Sequence, residues 1–434
     1  MSLYKIPFKE GVEAQVEIDE KNFLFYASPI KSKSIPDQEK VIEDALENPI
    51  GTGKIEDLVQ PQNKVALLVD DITRPTPTAR ILPHVLSRIE RAGVPKRKVK
   101  IIMALGTHRP MTEKELEVKL GKEVIKNYEV INRHYQDRSK LIFLGETESG
   151  TPVEVYQEVA EADFVLAVGN IVPHISSGWG GGSKIILPGV CGQKTTDMMH
   201  YAACTVQSVL EVIGKRDNKP RQEMDEIAEK AGLKFIVNTI LDEKRNILDV
   251  FAGDYIEAHR KAVKEAEKYM LVPVPHQADI LIVSATPCHV DYWQGVKPYA
   301  FSHRAVRQGG IIIFLLDGSE GLCGDAPSHE ETVRKYISSS FEEMKKAVKK
   351  GKVTDLAGLN VPMYHSMLRH RVTTFCVSNN LSKEDITALG FIPADNVQSA
   401  LDEAYRILGK DAKVGIIPYG GKTLVKIRDN SEFL

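Results

Sequence analysis

Apolar positions in this chain fall into short runs, each ending at a polar or glycine-containing loop. Val65-Ala66-Leu67-Leu68-Val69 follows Lys64 and stops at Asp70-Asp71. A continuous run of that length reads as a strand covered on both faces. The turn that follows, residues 72–77 (ITRPTP), is fixed by two prolines and leads into a helix through about residue 92. Residues 99–105 form the next strand, ending in Gly106-Thr107-His108-Arg109-Pro110. Thr112 and Glu115 have capping-box spacing, with Gly121 as the helix stop. Residues 164–168 (FVLAV) are the third strong strand. Shorter strand signals lie at 128–132, 141–144 and 235–241, a helical pattern at 256–270, and a loose alternation at 5–18 that predicts an edge hairpin.

The segment 271–275 (LVPVP) is the best linker, because two alternate prolines fit an extended connection and not a helix. Beyond it the pattern restarts. Strands are predicted at 278–283, 310–316, 372–377 and 414–418, with helices at 330–351 and 396–408 among them. Strand, polar loop, helix and strand again is the order of a parallel sheet. The chain is therefore expected to be α/β: two α/β domains with mainly parallel sheets, joined by a short proline-containing linker. The expected division is 1–272 and 273–434, with the last segment, 413–427, open to pairing with either.

Composition narrows the function classes. At 434 residues the chain exceeds one ordinary core, in keeping with two domains. A formal net charge of −2 argues against a general nucleic-acid surface, which needs a basic excess. No apolar run reaches membrane-spanning length, and MSLYKIPFKEG lacks the apolar core of a signal peptide, so a cytoplasmic protein is expected. The five cysteines are scattered and never in a CxxC pair, which disfavours a disulfide framework or a cysteine zinc site.

The candidate chemistry gathers at predicted strand ends. Asp70, Asp71 and Arg74 follow the first strong strand, His108 the second and His174 the third; Gln294 and Lys297 follow the first strand after the linker. Open α/β sheets bind ligands along that edge. Singly, each residue has an ordinary structural explanation; together they outline a site in the cleft between domains. The stretch 170–200 adds Gly178-Trp179-Gly180-Gly181-Gly182, Ser183, Lys184 and His200. Glycines in a row need a reason: close approach of backbone N–H groups to an anion, or a turn through positive φ. The other histidines lack such placement and are read as structural, with His289 undecided.

Several chemistries lose support. In Gly180-Gly181-Gly182-Ser183-Lys184-Ile185 the lysine precedes isoleucine, so the hydroxyl that holds magnesium in a triphosphatase loop is missing. No Gly-x-Gly-x-x-Gly follows the first strand, and no HExxH occurs. Two histidines on separate strand-end loops suit different work, as acid/base groups on opposite faces of a planar intermediate, which a racemisation needs.

The combination DDITRPTP at 70–77, GTHRP at 106–110, PHISSGWGGGSKIILPG at 173–189, His200 and YWQGVKP at 292–298 resembles the nickel-pincer lactate racemase family over nearly the whole chain. The resemblance implies a nickel pincer nucleotide, built on a pyridinium mononucleotide and made by separate biosynthetic enzymes. It places the covalent thioamide on Lys184 and the nickel-ligating histidine at His200. His108 and His174 become the paired acid/bases, Gln294 and Lys297 substrate contacts, and Asp71, Thr73 and Arg74 cofactor or substrate contacts. The implied activity is interconversion of D- and L-lactate by hydride transfer to the cofactor, with pyruvate as intermediate. A racemase or epimerase of another 2-hydroxy acid, or a non-catalytic nucleotide- or metal-binding protein, are the alternatives.

Overall fold

The computed structural model describes residues 1–29, 37–242, 244–324 and 326–428. Two six-stranded sheets organise them. The first runs in the order Ile247–Gly253, Leu233–Leu241, Phe164–Asn170, Val65–Asp70, Val99–Ala104, Glu129–Ile131. Its neighbours are parallel except the first pair, which is antiparallel. The second runs Ile392–Ala394, Thr373–Val377, Val306–Leu315, Ala278–Ser284, Val414–Ile417, Phe23–Tyr26 and is parallel throughout. The expected class, α/β with mainly parallel sheets, is the one observed.

The unbroken apolar runs follow from burial on two sides. Every residue of Val65–Asp70 and Phe164–Asn170 is buried. Val65, Leu67 and Val69 meet Ile81, Val85 and Ile89 of the helix Thr78–Arg91, while Ala66 and Leu68 face a second cluster with Leu187, Met224 and Ile227. Successive side chains point to opposite faces, so two covered faces leave no polar alternation. The helix Glu113–Leu120 carries the anticipated capping box, with Gly121 at its C-terminal cap.

Four features differ from the sequence pattern. The hairpin Ser2–Lys9/Val12–Ile18 forms, but Ile6, Phe8, Val16 and Ile18 pack with Ile280, Ile313 and Leu401, and Phe23–Tyr26 pairs with the strand Val414–Ile417. Phe23–Tyr26 by sheet membership, and the hairpin by packing, thus sit with the C-terminal unit. The linker is not a bare connection: Leu271–Val274 pairs in parallel with Leu424–Ile427. That pairing and Val414–Ile417 in the second sheet account for the C-terminal segment. The helix expected over 330–351 is two, Glu330–Tyr336 and Phe341–Lys349, because Ser340 and Glu343 build a new capping box. The strand Ile247–Gly253 and the helix Leu356–Leu368 had no separate signal. That helix is buried over almost its whole length and so has no polar face to reveal its period.

The units share one core. The largest apolar cluster holds Ile171, Trp179 and Phe251 of the first with Tyr292, Phe301 and Leu359 of the second. Helix Gln193–Thr205 packs on Leu356–Leu368, where Asp197 Oδ1 accepts the Ala357 N–H at 2.9 Å and Asn360 Nδ2 donates to the His200 carbonyl at 3.1 Å. Among the described residues no helix is long and apolar enough to cross a membrane.

Candidate active site

Three neighbouring parallel strands of the first sheet end at one level. Val69 is in register with Met103 on one side and Val168 on the other. The loops leaving them therefore emerge side by side and carry Asp71, His108 and His174. Asp70 serves the scaffold: its carboxylate pairs with the buried Lys119 ammonium at 2.7 Å and accepts the Thr76 hydroxyl, pinning the turn that holds Arg74. Lys119 also donates to the Arg74 carbonyl at 2.9 Å.

Asp71 is buried and grips His108 Nδ1 at 2.5 Å. Thr73 donates from backbone N and Oγ1 to the other Asp71 oxygen, at 2.9 and 2.5 Å. Burial alone would raise the Asp71 pKa, but the charge and hydrogen bond of His108, with Arg74 and Thr73, outweigh it and hold the carboxyl well below the usual range. A carboxylate that only accepts fixes the His108 tautomer: Nδ1 carries a proton, and in the neutral ring Nε2 keeps the lone pair. Gln294 Nε2 lies 3.4 Å from that Nε2.

His174 is presented by a two-residue hairpin, Pro173–His174 against Gly178–Trp179. The Ser176 N–H donates to His174 Nδ1 at 3.2 Å, so the neutral ring carries its proton on Nε2. Burial, reinforced by the charges of Lys184, Lys297 and Arg74, pushes the His174 pKa well below its ordinary value. The two histidines are thus held in opposite tautomers, one offering a lone pair at Nε2 and the other a proton.

The glycine run is explained by packing and positive φ rather than by an exposed anion cradle. Gly178 and Gly181 have φ of +73° and +75°, and a Cβ on Gly178 would stand 2.0 Å from the Lys215 carbonyl oxygen. Arg221, fully buried, clamps the loop: Nη1 donates to the Gly181 carbonyl and to Ser183 Oγ, each at 3.1 Å, and Nη2 to the Trp179 carbonyl. His259 Nε2 donates to the Gly180 carbonyl at 2.9 Å, a structural role in keeping with expectation. So braced, Lys184 stands in the turn Gly182–Ile185. Burial first, then Arg74, Lys297 and Arg221, pushes its pKa well below the usual lysine value, which favours the neutral amine.

The second unit closes the site with the helix Tyr292–Ser302, capped by the buried Asp291, whose carboxylate accepts the Gln294 N–H at 2.8 Å. Trp293, Val296 and Lys297 share one helical face and line the cavity with Arg74, His108, His174, Lys184 and His200. Lys297 thus lines the cavity from the second unit. Two of the expected residues stand one step back: Thr73 braces Asp71, and Gln294 lies between His108 and Lys297, accepting from Lys297 Nζ. The cavity with its open mouth encloses about 1080 Å³.

Sequence reasoning passed over Asn170, Asn238, Trp293 and Asn360, which also line the cavity. Asn170 ends its strand and meets the same criterion that selected Asp71 and His108; its buried Nδ2 has no partner among the described residues. Arg221 had no signal, since its partners, the Gly181 and Trp179 carbonyls and the Ser183 hydroxyl, lie about forty residues away.

Known proteins match along almost the whole chain. The lactate racemase N-terminal domain model matches residues 10–211, and the lactate racemase C-terminal domain model residues 274–425. A lactate racemase of Lactiplantibacillus plantarum is 28% identical over 96% of this chain and 98% of its own length. One of Thermoanaerobacterium thermosaccharolyticum is 28% identical over 90% and 91%. The structure of a lactate racemase apoprotein from Thermoanaerobacterium thermosaccharolyticum superposes with a TM-score of 0.88 at 26% identity, covering 98% of this chain and 100% of that one. A Thermotoga maritima protein shares the fold at a TM-score of 0.71 and 19% identity. With both family models in chain order and the fold matched end to end, the chain belongs to the lactate racemase family, a family of isomerases.

Proposed function

We propose that the protein is a lactate racemase whose cofactor is a nickel pincer nucleotide, attached through Lys184 and ligated by His200. The carrying observation is the convergence on one cavity of two oppositely protonated histidines, a lysine biased toward its neutral amine, and two cations. The residues fit such a group. His200 Nδ1 donates to the Thr196 carbonyl at 2.8 Å, which leaves Nε2 as the lone-pair nitrogen a metal requires. Burial pushes the His200 pKa down to about 4, so the ring is neutral at neutral pH. Among the described residues no three His, Cys, Asp or Glu form a metal-binding group, so nickel here would take its remaining donors from the organic ligand. The buried, unpartnered Asn170 amide in the cavity wall awaits an acceptor.

When bound, the cofactor supplies a hydride acceptor for the poorly acidic α-hydrogen of lactate. The chain handles the proton and the carboxylate. Arg74 and Lys297 supply positive charge for the carboxylate, one from each unit. His108 Nε2, its other nitrogen fixed by Asp71, takes the hydroxyl proton from one enantiomer. His174 answers for the other face, giving a proton to the oxygen of planar pyruvate as the opposite enantiomer forms. To give it, His174 must first be protonated, which Lys297, Arg74 and Arg221 oppose in the ligand-free site. An anionic ligand offsets those charges and so favours a protonated His174.

The test is conversion of L-lactate to D-lactate, and the reverse, by protein produced together with the cofactor-building enzymes and followed by chiral chromatography. Equal end mixtures from both enantiomers support the reading. Protein carrying the adduct yet leaving both enantiomers unchanged refutes it.

A further inference from the structure

A second cavity, about 1790 Å³ with its mouth, opens behind the glycine loop at the seam of the two units. The first unit contributes Trp179 and Lys215. The paired linker and C-terminal strands contribute Leu271 and Lys426, and the second unit His303, Arg304 and Arg371. The wall is positive. Its carboxylates, Asp217 and Glu267, are engaged by Arg260 at 2.9 Å and Arg216 at 3.2 Å, and no other carboxylate is among the described lining residues.

The wall also concentrates unmade hydrogen bonds. Both ring nitrogens of His303, the indole nitrogen of Trp179 and Nε of Arg371 are buried without a partner among the described residues. His303 and Trp179 are each only 1% exposed. Buried polar groups are nearly always satisfied; these four lie just beneath the cavity wall, and a ligand meets them only as neighbouring side chains give way. Water alone would satisfy a neutral wall; a surplus of cations selects an anion. The His303 ring is held edge-on to Tyr299 at 4.8 Å, and burial keeps it neutral, so it presents one donor and one lone pair. A partly protonated phosphate matches both, and Leu210, Leu271 and Val425 offer an apolar bed for an organic substituent.

We propose that this cavity binds a phosphate-type oxyanion, free or carried on a small organic molecule, bridging the two units beside the linker strand. The ligand would touch the indole of Trp179, whose carbonyl Arg221 holds within the same loop as Lys184. Occupancy is therefore sensed in that loop. The proposal stands independently of the catalytic reading.

Trp293→Phe leaves Trp179 as the single tryptophan of the full chain. That ligand-free variant is titrated at constant ionic strength with inorganic phosphate, pyrophosphate and phenyl phosphate, with chloride as the control. Expected is a saturable change in Trp179 emission that chloride does not give, with Arg371→Gln weakening the apparent affinity at least tenfold. Arg74→Gln, in the other cavity, leaves it unaltered. Tighter binding of phenyl phosphate assigns an organic phosphate, whereas equal or weaker binding assigns the free anion. If Arg371→Gln melts far below the parent, Lys426→Gln replaces it, with a loss of about threefold or more expected. The proposal falls if no anion gives a saturable response at millimolar concentration, or if Arg74→Gln abolishes a response that Arg371→Gln and Lys426→Gln preserve.

Discussion

Both sheets serve the same cavity, but the first sends loops into it and the second sends a helix. Loops gain precision only from side-chain networks: Asp70 with Lys119, Asp71 with His108 and Thr73, Arg221 with three groups of the glycine loop. The helix Tyr292–Ser302 needs no such bracing, because residues three and four apart already share a face. Under the proposed function, the two acid/base histidines and Arg74 ride on the charged, adjustable half and Lys297 on the rigid half. Truncation in the first unit should damage chemistry, and truncation in the second should damage binding.

The largest expected effect breaks that division at its centre. Lys184→Ala should abolish covalent cofactor retention and all racemase activity, because the other residues of the turn Gly182–Ile185 have no amine. Intact mass of protein made with the cofactor-building enzymes should show the adduct on the parent only; an adduct on the variant sinks the assignment. Next come His108→Ala and His174→Ala, each expected to cut racemisation in both directions by ~10²–10⁴-fold with the adduct kept. Near-normal turnover by either one would mean a single acid/base. Asp71→Asn sharpens the point: it removes the lock on the His108 tautomer, so kcat should fall although the imidazole remains.

Lys297→Ala should act through KM, by about 10–100-fold, the range of one lost charge-assisted hydrogen bond, with the adduct intact. A change confined to kcat would move Lys297 from substrate binding to chemistry. The smallest effect is on stability. His200 is held at about 4, and His303 and His365 well below their ordinary value of 6.5 at about 3. Between about pH 4 and 6.5 the unfolded chain binds these protons and the folded chain does not, so stability falls as pH falls through that window. Asp197, raised to about 6, opposes the three with one proton. His174 and His259, also pushed well below 6.5, act in the same direction, so the histidines outnumber Asp197, several protons are taken up on unfolding near pH 5, and Tm should decline from pH 7 to 4.5. A flat Tm over that interval would show that these rings are not buried neutral.

Local sequence was enough for the strand runs 65–69, 99–105 and 164–168, the capping box at Thr112, and the strand-end positions of Asp71, His108 and His174. Each rests on near neighbours: hydrophobic period, a cap three residues away, the residue at which an apolar run stops. Lys184 and His200 were legible through the motif, and their burial and hydrogen bonds were not. Only the packed chain settled that Phe23–Tyr26 joins the far sheet, that Leu271–Val274 pairs with Leu424–Ile427, and that Arg221 braces the glycine loop. A strand edge carries backbone donors and acceptors that any other edge can satisfy, so its partner is not written in its own residues. The helix Leu356–Leu368 was hidden for the complementary reason. Apolar neighbours on every side erase the polar face from which a helix is read.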